Sequence, residues 1–409
     1  MCSPRSLILM IVFALVQTGC VTYQTKVSGA REAFKNEDPE RAVELLEPLA
    51  KKQNDDQLVY LLDYATALQK AGRYQESADA YGDAAKIADI QDYHSVSRSA
   101  AALLLSEEMV QYKGDDYEKV LIHAMNSVNY LELGKLDEAL VEVRQLNTML
   151  HKFKVEAKKP YEQNAFAYYI SAVIWEANRD YDDAYIAYKS VYDVAPNYAP
   201  LREDLVRSSL LAQRPEETLK WRAAFPEVKI KPEWSNKALG EVILVYEQGW
   251  GPRKYPQPEN PRFPMLIPMT SITQTALMTI DDRAARSTSI FNVNDAAMKT
   301  MNDDYVRLVA SRVVGIGVKA VVASQIGQRN KGLGAVAFLA MSLSDRADVR
   351  QWSTLPQTFQ IARLTVKPGK YKVRLDGADW GNNPSREISE REVVVKPGRK
   401  AFISWRTVR

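Results

Sequence analysis

The chain has 409 residues, of which 46% are hydrophobic and 26% charged, and its formal net charge is +3. That supplies enough apolar material for two or three domains of ordinary size. Only two cysteines, Cys2 and Cys20, and three dispersed histidines, His94, His123 and His151, are present, which excludes a disulfide framework and any His-rich metal motif.

Residues 1–19 read as a secretory signal. Arg5 is followed by an apolar run from Leu7 to Val16 and then by Gln17-Thr18-Gly19-Cys20. About ten apolar residues are too few to cross a bilayer, which needs about twenty. The small residue directly before Cys20 resembles the bacterial lipobox. Thr18 and Gly19 fit that motif, whereas Gln17 stands where an aliphatic or small residue is usual. The resemblance implies diacylation of Cys20, and Val21, in place of a retaining aspartate, implies sorting to the outer membrane. The alternative is an ordinary secretory signal with an incidental cysteine.

Residues 20–228 carry helical periodicity in pairs. Ala33, Ala42, Leu46 and Leu49 form a first face, with Pro39 placed to open a helix. Leu61, Tyr64, Ala65 and Leu68 end at Gly72, and Tyr74, Ser77, Tyr81 and Ala84 answer them. A third pair runs from His123 through Tyr130, turns at Gly134 and continues from Leu136 to Leu146. The fourth is the most complete, with Tyr168, Ser171, Ala172 and Trp175, then Asn178 to Asp180, then Tyr181, Ala184, Tyr188 and Val191 before Pro196. That order of large residue, small pair, aromatic, turn, small residue and aromatic resembles the tetratricopeptide repeat, with Arg179 where the repeat has a turn glycine. Ala42 and Ser77 are 35 residues apart, close to the repeat's period of about 34. The 62 residues from Ser77 to Ala139 predict one degenerate unit near Ser95 to Tyr117, and Leu205 to Trp221 predicts a capping pair.

Such a solenoid presents its first helices to a concave groove. On the repeat's geometry the groove is lined by Val59, Leu62 and Thr66, by Leu121, Ala124 and Val128, and by Phe166, Tyr169 and Val173. Mostly apolar, this lining suits a helix or extended peptide from a partner. Equally, a neighbouring part of the same chain can fill it.

Residues 229–409 change period. Glu241 to Tyr246 reads as a strand. A proline-rich loop, 249–264, follows and excludes helix and interior strand. Its Trp250, Arg253, Lys254 and Tyr255 make a candidate docking surface, against the plainer reading of a loop wrapped on its own domain. Asp295 to Gln325 is a long helical pattern and Gly332 to Leu343 a second apolar run, both expected in the core. Strand-like segments then cover Phe359 to Val366, Tyr371 to Leu375, Glu392 to Val395 and Ala401 to Thr407. The near-copies Val366 to Lys370 and Val395 to Arg399 hold Pro-Gly pairs suited to type II turns, so they predict two hairpins. Lys370, Lys372 and Arg374 share one face of their strand. From Lys231 onward there are 27 basic and 16 acidic residues, about +11, so the preceding part carries about −8.

No catalytic constellation emerges, and no cofactor, metal or nucleic-acid partner is expected. Gly315 to Lys319 fails as a phosphate loop because Ala320 replaces the required Ser or Thr. Asp281-Asp282 and Asp303-Asp304 read as caps or solvated acids. The fold expected is mainly α, a tetratricopeptide-like solenoid followed by an α+β domain ending in antiparallel β-hairpins.

Tyr112 to Glu118, Asn129 to Gly134, Ala139 to Arg144 and Ala347 to Trp352 before Leu355-Pro356 resemble a family of largely uncharacterised bacterial lipoproteins with tetratricopeptide-like repeats. The resemblance implies an outer-membrane lipoprotein facing the periplasm and acting as a scaffold for envelope proteins. By analogy with other repeat-bearing lipoproteins, the peptidoglycan-synthesis machinery is one such partner. The rival expectation is a glycan-binding or catalytic C-terminal domain that the solenoid only delivers.

Overall fold

The computed structural model describes residues 23–94, 111–156, 163–302 and 347–409, with a few positions between 305 and 328. Its helices are α1 (Tyr23–Lys35), α2 (Pro39–Ala50), α3 (Gln57–Lys70), α4 (Tyr74–His94), α5 (Asp116–Glu132), α6 (Leu136–His151), α7 (Ala165–Asn178), α8 (Tyr181–Val194), α9 (Leu201–Leu211) and α10 (Pro215–Ala224). They form antiparallel pairs in series, and local chemistry sets the boundaries. Asp38 caps α2 by accepting from Arg41 N at 3.0 Å, with Pro39 in the first turn, where its missing N–H costs nothing. Asn164 caps α7 in the same way. Arg179 adopts φ +71° between α7 and α8, the left-handed conformation expected of the repeat's glycine, and closes the turn despite its side chain.

Close approach within each pair comes from a small residue on the second helix. Ala42, Ser77, Ala139 and Ala184 are all fully buried, and Ser77 Oγ donates to Ala65 O at 2.7 Å. The degenerate unit expected near Ser95 to Tyr117 does not separate the second pair from the third. Gln69 Nε2 donates to Asn129 Oδ1 at 2.8 Å and Asn129 Nδ2 donates to Ser77 Oγ at 2.8 Å. The two pairs therefore stack directly, and residues 95–110 lie outside the described residues.

The second half is a sandwich of two four-stranded sheets with a two-stranded arm. The first sheet has the order β10-β1-β7-β6 and the second β5-β4-β8-β9, while β2 pairs with β3 alone. The strands are β1 (Gly240–Gln248), β2 (Arg253–Pro256), β3 (Pro264–Ile267), β4 (Thr275–Ile280), β5 (Arg283–Arg286), β6 (Thr288–Asn292), β7 (Thr358–Val366), β8 (Gly369–Ala378), β9 (Pro384–Val395) and β10 (Lys400–Thr407). All pairings are antiparallel except β1 with β10.

One sequence expectation is corrected here. The Pro-Gly pentads do not close hairpins. Residues 367–368 carry the chain from β7 in the first sheet to β8 in the second, and 396–399 return it from β9 to β10. The true hairpin joins β8 to β9 through Asp379 to Asn383. Only Gly398 of the two pentad glycines has a positive φ, +61°, so the copies differ in conformation. Asp281-Asp282 is a two-residue β-turn with Asp281 at φ +51°, and both acids are solvated there.

Strand β1 explains why its sequence shows no alternation. Val242, Leu244 and Tyr246 point between the sheets with Met278, Val373 and Leu375. Ile243 and Val245 point the other way and join the core of the solenoid. A strand buried on both faces reads as a continuous apolar run.

Candidate functional site: the groove and what fills it

All nine predicted groove residues are at most 2% exposed: Val59, Leu62, Thr66, Leu121, Ala124, Val128, Phe166, Tyr169 and Val173. Of the two expectations, the open peptide groove is therefore corrected and filling by the same chain is what the fold shows. Eight of the nine residues belong to one apolar core with Ile243, Val245, Trp352, Leu355, Phe359 and Ile361 from the second half, and Thr66 accepts a hydrogen bond from Trp352 within it. The cause is physical. Ile243, Val245, Phe359 and Ile361 make an apolar strip on the first sheet, the solenoid's inner surface is apolar too, and burying each against the other removes both from water at about 25 cal/mol per Å².

Two contacts define the filling. Phe359 of β7 stacks on Phe166 with ring centroids 4.2 Å apart and planes at 11°. Before β7, residues 347–355 lie against the helices, with a turn at 353–354, and are gripped through their backbone, as a peptide ligand would be. Tyr23 OH donates to Gln351 O at 2.7 Å and Gln24 Nε2 to Val349 O at 2.9 Å. Trp352 N donates to Glu118 Oε1 at 2.8 Å, and Thr354 N to Asp63 Oδ1 at 2.9 Å. Trp352, 1% exposed, seats its ring against Tyr81 and donates Nε1 to Thr66 Oγ1 at 2.8 Å. Arg350 lies over the Tyr112 ring and binds Asp56 at 2.8 Å and Asp348 at 2.7 Å. Tyr112 and Glu118, far from the stretch Ala347 to Trp352 in sequence, touch it in the fold.

Farther along the groove a buried ionic cluster spans the halves. Glu176 on α7, Asp204 and Arg207 on α9 meet Glu241 on β1, Arg363 on β7 and Lys400 on β10. Arg363 donates to Glu241 at 2.7 and 2.8 Å, to Asp204 at 3.0 Å, to Glu176 at 3.2 Å and to Tyr188 OH at 2.9 Å. Arg207 reaches Asp204 at 2.7 Å and Glu176 at 3.1 Å. Lys400 reaches Glu176 at 3.1 Å and also pairs with Glu241. Three acids face three cations, so the cluster is neutral. Register explains the gathering, because Glu241 pairs with Lys400 across β1 and β10, and Arg363 opposes Ile243, two residues on along β1.

Burial raises the Glu176 carboxyl, but Arg207, Lys400 and Arg363 outweigh it and hold it at about 2. Glu241 is likewise held well below the usual range, against burial, by Arg363 and Lys400. Glu118 behaves oppositely: burial and then the Asp115 charge lift it to about 7 despite Lys254. Burial also lifts Glu132, on the groove beside Ser404, to about 7.

These directions predict a stability maximum on the acid side of neutral. The depressed pair stabilises the fold above the ordinary carboxyl value of 4.5, and that contribution is lost as pH falls toward 2. The raised pair favours the protonated fold, so its contribution is lost as pH rises from 4.5 through 7. Urea midpoints measured from about pH 3 to 8 are expected to peak near pH 5, with Glu118→Gln flattening the alkaline limb.

The candidate docking loop also turns inward. Trp250, 6% exposed, packs on Phe34 and lies under the Arg253 and Arg406 guanidinium groups. Lys254 Nζ binds Asp115 at 2.7 Å. Only Tyr255 of the four is exposed, at 39%. Nor is the face of Lys370, Lys372 and Arg374 a bare basic surface, since Lys372 pairs with Glu390 at 2.6 Å and Arg374 with Asp376 at 2.8 Å. The acidic solenoid instead meets Lys254, Arg350, Arg363 and Lys400. Cys20, Asp303-Asp304, Gly315 to Lys319 and Gly332 to Leu343 lie outside the described residues. Among the described residues no group of three His, Cys, Asp or Glu side chains could hold a metal ion, and no helix is long and apolar enough to cross a membrane.

No protein-family model and no curated protein matches the chain. Among solved structures it is similar to MamA residues 41-end from Desulfovibrio magneticus RS-1, at 15% identity over 48% of this chain and 88% of that one, with a TM-score of 0.32. A putative kinesin light chain with TPR-like repeats from Podosopora anserina matches at 16% identity over 49% and 93%, TM-score 0.33. BtubC from P. vanneervenii matches at 16% over 50% and 80%, TM-score 0.32. Likeness of that degree carries no functional argument, and the repeat assignment rests on the spacing, caps and packing of the helices themselves.

Proposed function

We propose that the chain is a non-catalytic scaffold of the bacterial cell envelope. It is anchored by acylated Cys20 in the outer membrane, faces the periplasm, and binds an envelope protein such as a peptidoglycan synthase. The observation that carries this reading is the shared core. Helical repeats and sandwich share one apolar core, and the shifted carboxyls along the groove are bound to partners from the other half. Rigid repeat surfaces present contact area, which suits recognition. Because the groove is filled, the partner engages the outside, where Leu219 is 66%, Ile186 48% and Tyr255 39% exposed.

The test is in-cell photo-crosslinking from Leu219, Ile186 and Tyr255, with Trp352 as a buried control. One envelope protein recovered from an outer position and absent from the control is the expected result. Recovery of none from any outer position removes the scaffold reading. Metabolic labelling with an alkyne fatty acid tests the anchor, since Cys20→Ser is expected to abolish the label.

A further inference from the structure

The hairpin between β8 and β9 carries the most exposed large apolar side chain among the described residues, Trp380, at 84%. By contrast Trp221, Trp250, Trp352 and Trp405 are buried. Ile272, 71% exposed, stands at the same end of the sandwich, since Gln274 N two residues on donates to Ala378 O at 2.7 Å. An aromatic ring held in water on a fixed support is available to a ligand without rearrangement.

The support is fixed by its own polar groups. Asp379 Oδ1 accepts from Gly381 N at 2.8 Å, from Asn383 N at 2.9 Å and from Asn383 Nδ2 at 3.2 Å. Asp379 N donates to Asn383 O at 2.9 Å and Asn382 N to Asp379 O at 3.1 Å, with Asn382 at φ +63°. The ring is thus presented from a closed loop, and little ordering entropy is left to lose on binding. Two groups beside it keep capacity for hydrogen bonds. Among the described residues the Asn382 carboxamide has no partner, and Asp379 Oδ2 receives only Asn383 Nδ2, at 3.1 Å.

We propose that the Trp380 loop is a carbohydrate-binding site, taking one face of a pyranose ring on the indole and its hydroxyls on Asn382 and Asp379. The apolar C–H face of a sugar carries slightly positive hydrogens that match the negative face of an aromatic ring. Its edge offers donors and acceptors to an amide and a carboxylate. A protein partner needs about 800 Å² of surface on each side, far more than Trp380 and Ile272 supply. A bilayer would have to accept the Asp379 carboxylate, which Asn383 keeps ionised, next to the inserted ring. The site does not rest on the scaffold reading; it takes up the rival expectation of a glycan-binding C-terminal domain, and its test is separate from the crosslinking.

The test uses the full chain titrated with chitotriose, cellotriose and mannotriose, read by tryptophan fluorescence and amide chemical shifts. At least one trisaccharide is expected to bind at millimolar strength with shifts centred on residues 379–383. Trp380→Ala, a loop change that leaves the core intact, is expected to weaken binding at least about tenfold, and Trp380→Phe to retain most of it. No response to any of the three sugars overturns the proposal, as does unchanged binding by Trp380→Ala. Trp380-dependent pelleting with phosphatidylethanolamine and phosphatidylglycerol vesicles, without sugar binding, also overturns it and assigns the loop to lipid.

Discussion

Arg363→Ala is expected to cost about 3–5 kcal/mol of stability, because it leaves buried acids without their shared cation. Arg363 is the hub of the cluster, bonded to Glu241, Asp204, Glu176 and Tyr188 from one strand. After its removal Arg207 and Lys400 face three acids, and the excess charge sits where water is scarce. A paired control separates that penalty from lost packing. Arg363→Met with Glu241→Leu removes one charge of each sign, so the remaining four groups stay balanced, and most of the loss is expected to be recovered. Urea unfolding at pH 7 reads both variants. A cost below about 1 kcal/mol for Arg363→Ala would mean that the cluster is hydrated and contributes like a surface pair.

The helical half was largely legible because its signals are local. Periodicity, the Pro39 and Gly72 boundaries and the small residues Ala42, Ser77, Ala139 and Ala184 each depend on a few neighbouring positions, although only Ala42 and Ser77 lie about one period apart. Even Arg179 in the glycine position obeys the backbone geometry that the repeat requires. The topology of the second half was not legible in the same way. A Pro-Gly pair marks a change of direction, and whether the chain returns to its own sheet or crosses to the facing one depends on partners far away in sequence. Strand β10 lies beside β1 because sheet order, which no local pattern encodes, puts Glu241 opposite Lys400.

Occupancy of the groove sat between these cases. Two signals in the sequence bear on it: the opposite charge of the halves, and Arg363, the one charged residue in the strand from Phe359 to Val366. Neither identifies a contact alone, since Lys370, Lys372 and Arg374 make an equally basic stretch and face solvent. What separates them is the other face of the strand. Phe359 and Ile361 flank Arg363 on the solenoid side and are buried there, so Arg363 had to find acids inside, whereas the residues between Lys370 and Arg374 turn into the sandwich. Asp63 was hidden for a related reason. It sits beside Leu62 on α3 and reads as an ordinary helix acid, yet it is fully buried and satisfied by Tyr23 and by Ser353 and Thr354 from the groove segment.

Trp352→Ala is expected to cost a further 3–5 kcal/mol, roughly the penalty of emptying a large aromatic site in a packed core. Trp352→Phe should cost about 1–2 kcal/mol, since it keeps most of the apolar contact and withdraws only the Nε1 donor from Thr66. The size of the loss matters less than where it spreads. If residues 347–355 are one core with the solenoid, Trp352→Ala lowers hydrogen-exchange protection of α3, α5, β1 and β7 together, because Trp352, Tyr81, Phe166 and Phe359 belong to a single cluster of contacts. If exchange rises only at residues 347–355 while α3 and α5 keep their protection, the segment is a detachable plug, and the nine groove residues become available to a second peptide. Phe166→Ala and Tyr169→Ala cannot make that distinction. Both residues are fully buried side chains of the helices themselves, so removing either weakens the support directly, whereas Trp352 enters from the segment.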